Sequence, residues 1–254
     1  MLCSERKMAS RVFIVGIGPG PSDLITARAK KAIRSVSVII GQPDCLAQIV
    51  HLTQGKEVMA ISKNPLVRTQ TALEKTKNGQ NVAIVASGDP GTYAISATFL
   101  DYLHTNNIQI EVEVIPAIGL SSYASALLGA ALGGDSASIS LSDQGTPWEI
   151  IINRFETAVN ADFVVVIYNP FGKLGSNRWQ KALSILKLKR APATPIGILT
   201  QANTPLERLF LTTLGELEVT DFPSDTLFII GNSQSYISFG RMVTPRRYQE
   251  GIGY

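Results

Sequence analysis

Short apolar runs alternate with amphipathic segments in the first half of the chain. The apolar runs are rich in Val and Ile and cover 12–17, 36–41, 57–61, 82–86 and 110–115, whereas 22–35, 65–78 and 93–105 carry helix-like spacing. Apolar runs of this length are typical of buried strands. Strands that alternate with helices predict a parallel sheet covered on both faces.

The second half has a different pattern. A helix is expected at 120–129 and strands at 136–141, 162–168, 195–200, 208–214 and 226–231. Only QANTPLE (201–207) separates two of these strands, which is too short for a parallel crossover, so that pair should be antiparallel. The predicted fold class is α/β with two domains. We expect a flexible tail at 1–10, a parallel-sheet N-terminal domain at 11–116 and a mixed-sheet C-terminal domain at 117–254.

Composition limits the possible classes of protein. The chain has 254 residues, of which 45% are hydrophobic and 17% charged, enough apolar material for a large core. No apolar run approaches the roughly 20 residues that span a bilayer, so no membrane association is expected. The charged first ten residues do not resemble a secretory signal, and the two cysteines, Cys3 and Cys45, form no disulfide framework. We therefore expect a cytoplasmic protein.

Histidine and net charge narrow the chemistry further. His51 and His104 are the only histidines, too few for a histidine-based metal site or a Ser-His-Asp triad. The formal net charge of +3 is small and scattered, which does not indicate a nucleic-acid partner. No resident metal is predicted.

A glycine-rich turn follows the first strand in VGIGPGPSDLIT (15–26), and we call its residues 16–20 the first elbow. A dinucleotide-binding turn needs a third glycine where Pro21 stands, and Pro19 lacks the N–H that a phosphate cradle uses. Ser22 or Asp23 could cap the next helix. A turn shaped only for packing and a turn that approaches a ligand both remain open.

A second elbow, residues 87–91 in ASGDPGTY (86–93), follows the fourth predicted strand. Turns at the carboxyl ends of two parallel strands lie on one edge of the sheet, where ligands of open α/β sheets bind. Asp89 has two interpretations. It contacts a ligand, or it caps a helix that has Pro90 at its first position.

Four stretches together, VGIGPGPSDLIT, SGDPGTY, PAIG (116–119) and VVVIYNP, resemble the tetrapyrrole methylases. That resemblance implies two α/β domains, with S-adenosylmethionine in the cleft between them and S-adenosylhomocysteine as its product. SLSDQGTPWE, YNPFGKLGSNRWQ, IIGNSQS and GRMVTPRRY resemble the branch that methylates carbon 17 of precorrin-3B or cobalt-precorrin-3. This branch contracts the ring to a precorrin-4 type product in cobalamin biosynthesis. A homodimer is also implied by the family.

The resemblance implies a set of cofactor-binding residues from both domains. The sulfonium of S-adenosylmethionine is a cation, so a turn poor in N–H donors suits it. The set is Pro19, Gly88, Asp89, Thr92, Tyr93, Gly119, Leu120, Tyr168, Asn169, Ala202 and Asn203.

The tetrapyrrole substrate implies polar and basic residues. Asp143 and Thr146, supported by Ser142, are the candidates for steadying charge during methylation and ring contraction. The alternative is that this stretch starts a helix, with Thr146 as its cap and Pro147 at its first position. The macrocycle's carboxylates call for arginines, and the candidates in predicted loops are Arg178, Arg241 and Arg246, with Trp179 lying against the ring.

Other functions stay open at this point. The same fold could methylate another corrin position or a non-tetrapyrrole acceptor. An NAD-dependent oxidoreductase would use Asp44 as the acid expected about 20 residues after the glycines, although Gly41 occupies the strand end where that acid belongs. A non-catalytic tetrapyrrole-binding protein is the third alternative.

Overall fold

The computed structural model describes residues 10–20, 22–61, 64–142, 145–171, 176–202, 204–217 and 222–246. The chain divides into two compact units, Met1–Gly119 and Leu120–Tyr254. The expected flexible tail lies outside the described residues except for Ser10. Within the described residues, no helix combines the length and the apolar character needed to cross a membrane.

The first unit is built on a five-stranded parallel sheet. Its strands are β1 (Arg11–Gly16), β2 (Val38–Gly41), β3 (Glu57–Ala60), β4 (Val82–Ala86) and β5 (Glu111–Ile115), in the order β3-β2-β4-β1-β5. All four strand pairs are parallel, as predicted. The helices are α1 (Ala27–Arg34), α2 (Pro43–Gln48), α3 (Pro65–Lys77) and α4 (Ile95–Thr105), and Ser22–Leu24 and Val50–Leu52 form short 3₁₀ turns.

The central strands are apolar throughout because both faces of the sheet are covered. Along β1, Phe13 and Val15 join one hydrophobic cluster, while Val12 and Ile14 join a second cluster on the opposite face. Successive side chains of a strand point to opposite faces, so a doubly covered strand needs an uninterrupted apolar run. This run is the pattern that made the strands recognisable.

Two predicted helix starts in this unit are wrong. The Thr26 hydroxyl caps α1 by accepting a hydrogen bond from the Ala29 N–H at 3.1 Å, whereas Ser22 and Asp23 lie in the preceding 3₁₀ turn. Helix α4 begins only at Ile95, and Ala94 precedes it without a side-chain cap. Asp89 is therefore not a helix cap.

The second unit contains a mixed sheet and a small accessory sheet. Its strands are β6 (Gly129–Ala130), β7 (Ser136–Ser140), β8 (Val164–Tyr168), β9 (Pro195–Thr200), β10 (Arg208–Thr213), β11 (Leu227–Ile230), β12 (Tyr236–Ser238) and β13 (Arg241–Val243). The helices are α5 (Leu120–Leu128), α6 (Trp148–Asn160) and α7 (Ser176–Lys189). The large sheet has the order β10-β9-β11-β8-β7, and the small one β12-β13-β6.

Strand directions in the large sheet confirm the predicted mixed topology. The pair β7–β8 is parallel, whereas β11 runs antiparallel to both β8 and β9, and β10 runs antiparallel to β9. The predicted antiparallel pair is therefore confirmed. Because β11 reverses direction between them, β8 and β9 run the same way as β7, and their carboxyl ends meet at one edge.

An aromatic cluster fills the core of this unit. The Trp179 ring stacks on Phe228 with centroids 4.2 Å apart, and Phe171 meets the edge of Trp179 at 6.0 Å. Both Trp179 and Phe228 are fully buried. The cluster joins α7 to the middle strand β11.

We expect Phe228→Ala to lower the free energy of unfolding by about 3–5 kcal/mol, because it leaves a cavity under a stacked ring. Phe239→Ala makes the same chemical change at a fully exposed side chain, and should change stability by less than about 0.5 kcal/mol. Urea unfolding of the two variants compares them directly. Similar losses in both would contradict the described core.

Candidate functional site

The two elbows are hydrogen-bonded to each other. The Gly88 N–H donates to the Gly18 carbonyl at 2.9 Å and the Gly18 N–H to the Gly88 carbonyl at 3.3 Å. Both glycines have positive φ, +78° and +63°, which other residues adopt at a cost. The prediction that the elbows meet at one edge of the sheet is confirmed.

Gly16 allows a third segment to approach. A Cβ atom at this position would lie 2.6 Å from both the Ala117 Cβ and the Pro90 Cδ, and 2.8 Å from the Gly88 carbonyl oxygen. No side chain fits there without displacing its neighbours. The first elbow is thus shaped by close packing of the segments that follow β1, β4 and β5.

Asp89 ties two of those segments together. One carboxylate oxygen accepts the Gly91 N–H at 2.9 Å, and the other accepts the Ala117 N–H at 3.0 Å. Hydrogen bonds to an ionised carboxylate are stronger than neutral ones, and each oxygen keeps a further acceptor position. The sequence predicted a special role for Asp89 but not this bond, because Ala117 lies 28 residues away.

The other cofactor-binding candidates of the first unit lie in the elbows or just beyond them. Pro19 and Gly88 are buried in the paired elbows, while Thr92 and Tyr93 are exposed just beyond the second elbow, Tyr93 with a positive φ of 49°. A Cβ atom on Gly119 would lie 3.9 Å from the Asp89 Cβ. The structure therefore brings Pro19, Gly88, Asp89 and Gly119 together at the paired elbows.

In the second unit, the carboxyl edge of the large sheet gathers another group of candidates. Tyr168 ends β8 and is buried in a hydrophobic cluster, against which the partly buried Ala202 and Leu120 pack. Asn169 follows with a positive φ of 49°. Asn203 lies outside the described residues.

A single hydroxyl positions two candidates at this edge. Ser140 accepts hydrogen bonds from the Asn169 side-chain amide at 3.1 Å and from the Ser142 N–H at 3.3 Å. Sequence reasoning missed Ser140, since it reads as an ordinary strand-end residue. Its β7–β8 register partner is Tyr168, which places it at the same level of the sheet.

Of the two remaining catalytic candidates, the structure describes Thr146. Asp143 lies outside the described residues. Thr146 is half-buried two residues before α6, whose N-cap position is Pro147 with no side-chain cap. The alternative that Thr146 caps this helix is therefore wrong.

The substrate-side candidates differ in their surroundings. Arg178 lies on α7 rather than in a loop, and its guanidinium sits 5.0 Å from the Trp148 ring centroid. Arg241 begins β13 rather than lying in a loop, and is exposed; Arg246 is exposed after that strand. Trp179 is a correction, because its ring is enclosed by Phe228 and Phe171 and has no face left for a macrocycle.

No group of three or more metal-ligating side chains is found among the residues that the structure describes.

Replacing Asp89 by Asn should lower the free energy of unfolding by about 2 kcal/mol, because an amide cannot accept on both of its atoms and one of the two N–H groups loses its partner. Asp101→Asn, an identical change at an exposed position of α4, is the matched control and should be near neutral. Both are measured by urea unfolding. Equal stability of the two variants would show that the hydrogen bonds from Gly91 and Ala117 to the Asp89 carboxylate are not formed.

The chain is similar to known proteins along most of its length. The family model of the tetrapyrrole (corrin/porphyrin) methylases matches residues 11–218. The chain is 34% identical to a probable cobalt-factor III C(17)-methyltransferase of Salmonella typhimurium, over 92% of this chain and 98% of that protein. It is 35% identical to the cobalamin biosynthesis protein CbiHC of Archaeoglobus fulgidus over 94% of this chain, but spans only 53% of that longer relative.

Solved structures show the same fold. The crystal structure of the methyltransferase CobJ superposes with a TM-score of 0.87 at 28% identity, over 93% of this chain and all of that one. A uroporphyrin-III C-methyltransferase from Thermus thermophilus, solved with S-adenosylhomocysteine, has a TM-score of 0.68 at 23% identity and covers 87% of this chain and 97% of its own. With the paired elbows, the mixed second sheet and a family match over most of its length, the chain belongs to the tetrapyrrole methylases.

Proposed function

We propose that this chain transfers a methyl group from S-adenosylmethionine to carbon 17 of a corrin precursor, with contraction of the ring, in cobalamin biosynthesis. Cobalt-factor III or a precorrin-3B type macrocycle is the proposed substrate, and S-adenosylhomocysteine the co-product. The observation that carries this proposal is the 34% identity along almost the whole of the Salmonella C(17)-methyltransferase.

The hydrogen-bond acceptors of the first unit fit a cationic cofactor. The elbows offer the carbonyls of Gly18 and Gly88 and the carboxylate of Asp89, whereas Pro19 removes an N–H. Such a set suits a sulfonium or an ammonium and disfavours a phosphate. We propose that Asp89 faces one of these cationic groups while its oxygens stay bonded to Gly91 and Ala117.

The proposed cofactor residues are those that the family resemblance implied. Those that the structure describes lie at the elbows and the following segments of the first unit and, in the second unit, at the start of α5 and the carboxyl edge of the large sheet. They are Pro19, Gly88, Asp89, Thr92, Tyr93, Gly119, Leu120, Tyr168, Asn169, Ala202 and Asn203. The expected position of the cofactor between two domains stays a prediction.

Alignment is what the protein must supply for this reaction. When bound, S-adenosylmethionine supplies an electrophilic methyl group on its sulfonium. Displacement requires the nucleophile about 3–3.5 Å from that carbon and in line with the leaving group. The paired elbows suit this task, because hydrogen bonds between them and the Asp89 tie hold the backbone in one conformation.

Ring contraction requires polar groups near the macrocycle. We propose Asp143, Thr146 and Ser142 for this role, as the residues that steady charge during the acyl migration. Ser140 supports the proposal by tying the Ser142 backbone to the Asn169 side chain. Arg178, Arg241 and Arg246 are proposed to bind the macrocycle's carboxylates, and Trp179 is not.

The family assignment removes the NAD-dependent oxidoreductase, and Asp44 lies in the first turn of α2 rather than at a strand end. Methylation of a different acceptor and tetrapyrrole binding without catalysis become outcomes of the test below. A cytoplasmic location and a homodimer stay predictions.

The test is incubation of the purified protein with isotopically methyl-labelled S-adenosylmethionine and, separately, cobalt-factor III or precorrin-3B. We expect the macrocycle to gain one labelled methyl group by mass spectrometry, with an absorbance change from ring contraction. Reactions with unlabelled donor and with S-adenosylhomocysteine are the controls. No labelled product from either macrocycle would contradict the proposal, and methylation without contraction would remove its second half.

A further inference from the structure

Arg68 is a nearly buried cation at the carboxyl edge of the first sheet. It lies in the first turns of α3 and is only 8% exposed. Its guanidinium donates to the Ile61 carbonyl at 3.0 Å, and the Ile61 N–H donates to the Gly41 carbonyl at 2.9 Å. The guanidinium therefore sits where β3 and β2 end.

The part of the chain that the structure describes gives Arg68 no acidic partner for its charge. Among the described residues, no Asp or Glu lies within ion-pair distance of it, and burial lowers the pKa of its guanidinium. The titratable neighbour is Cys45, whose thiol is itself buried, and burial raises its pKa, so the thiol stays neutral near pH 7. Burying an unpaired cation is costly unless a ligand compensates it.

Within the described residues, the Arg68 guanidinium donates one hydrogen bond, from Nη1. The described structure uses the Nη1 donor for Ile61, whereas a guanidinium presents several N–H groups in a planar fork that matches a carboxylate. Ordinary structural capping of one carbonyl needs only a hydroxyl or an amide. An arginine thus has more hydrogen-bond donors than this local contact uses.

The position relates Arg68 to the elbows. In the order β3-β2-β4-β1-β5, the end of β3 lies two strands from the second elbow, a separation of roughly 10 Å at the usual strand spacing. Cys45 on α2 relates the two, because its thiol interacts electrostatically with the Arg68 guanidinium and with the backbone of Ser87, the first residue of that elbow. A macrocycle with carboxylate arms beside the elbows can reach the guanidinium.

We propose that Arg68 binds an acetate or propionate carboxylate of the corrin precursor at the carboxyl edge of the first sheet. This inference rests on the proposed function and adds a substrate-binding residue to it. The sequence did not single out Arg68, because one arginine on an amphipathic helix reads as part of a wet face. Its burial, together with the lack of an acidic partner among the described residues, distinguishes it from such residues.

The first test measures binding of cobalt-factor III by absorbance titration for the unaltered protein and Arg68→Gln. We expect the Gln variant to bind at least about tenfold more weakly, the loss typical of one charge-assisted hydrogen bond. Calorimetric affinity for S-adenosylhomocysteine should stay unchanged. Arg34→Gln, the same change at an exposed position in the last turn of α1, is the matched control and should bind as the unaltered protein does.

A second measurement separates carboxylate binding from a structural role. A macrocycle with its acetate and propionate groups converted to primary amides should bind the unaltered protein more weakly than the acid form, while Arg68→Gln should discriminate less between the two. Equal weakening of both forms by the substitution would overturn the proposal in favour of a structural role. Unchanged binding of the acid form would also overturn it.

The outcomes distinguish the two proposals. If the unaltered protein binds no corrin precursor, the proposed function fails and the role of Arg68 fails with it. If it binds and Arg68→Gln binds equally well, only the role of Arg68 fails. If thermal unfolding shows that Arg68→Gln is not folded, Arg68→Lys replaces it. The Lys variant should also bind the acid form more weakly, because one ammonium cannot reproduce the planar fork of a guanidinium. Equal binding by the Lys variant and the unaltered protein would overturn the proposal.

Discussion

Two backbone hydrogen bonds between Gly18 and Gly88 hold together the glycine turns that follow β1 and β4. Glycine is favoured on both sides, since both residues have positive φ. Gly16 then admits Ala117 from the segment after β5, and Asp89 fixes that segment by accepting its N–H. Three separate strand ends thereby become one defined surface. The proposed cofactor contacts of the first unit all depend on that arrangement.

Charge is distributed along this edge in a way that matches the proposed reaction. The elbows present carbonyls and the Asp89 carboxylate, which suit a cationic methyl donor. Arg68, two strands away, presents a buried guanidinium, which suits a carboxylate. A methyl donor and an acidic macrocycle thus have complementary partners on one sheet edge. No metal or histidine is needed for a displacement that depends on alignment.

Local patterns in the sequence predicted the ten strands of the two large sheets and the helices α1, α3, α4 and α5, because buried strands need apolar runs and amphipathic helices a regular spacing. They did not predict β6, β12 and β13, which are only two or three residues long and have no uninterrupted buried run. Local patterns also did not predict contacts between distant segments: the Asp89 bond to Ala117 and the burial of the Arg68 guanidinium arise only when the chain folds. Trp179 shows the opposite error, since an aromatic residue beside polar neighbours suggested a ligand surface but packs on Phe228 in the core.

Hydrogen exchange of individual amides, followed by NMR with and without S-adenosylhomocysteine, tests most directly whether the joined elbows are the cofactor surface. Bound cofactor product should slow exchange of the Gly18, Gly88 and Ala117 amides, because opening of their hydrogen bonds would break its contacts. NAD at the same concentration should leave them unchanged. Saturating S-adenosylhomocysteine that protects other amides but none of these three would contradict the account.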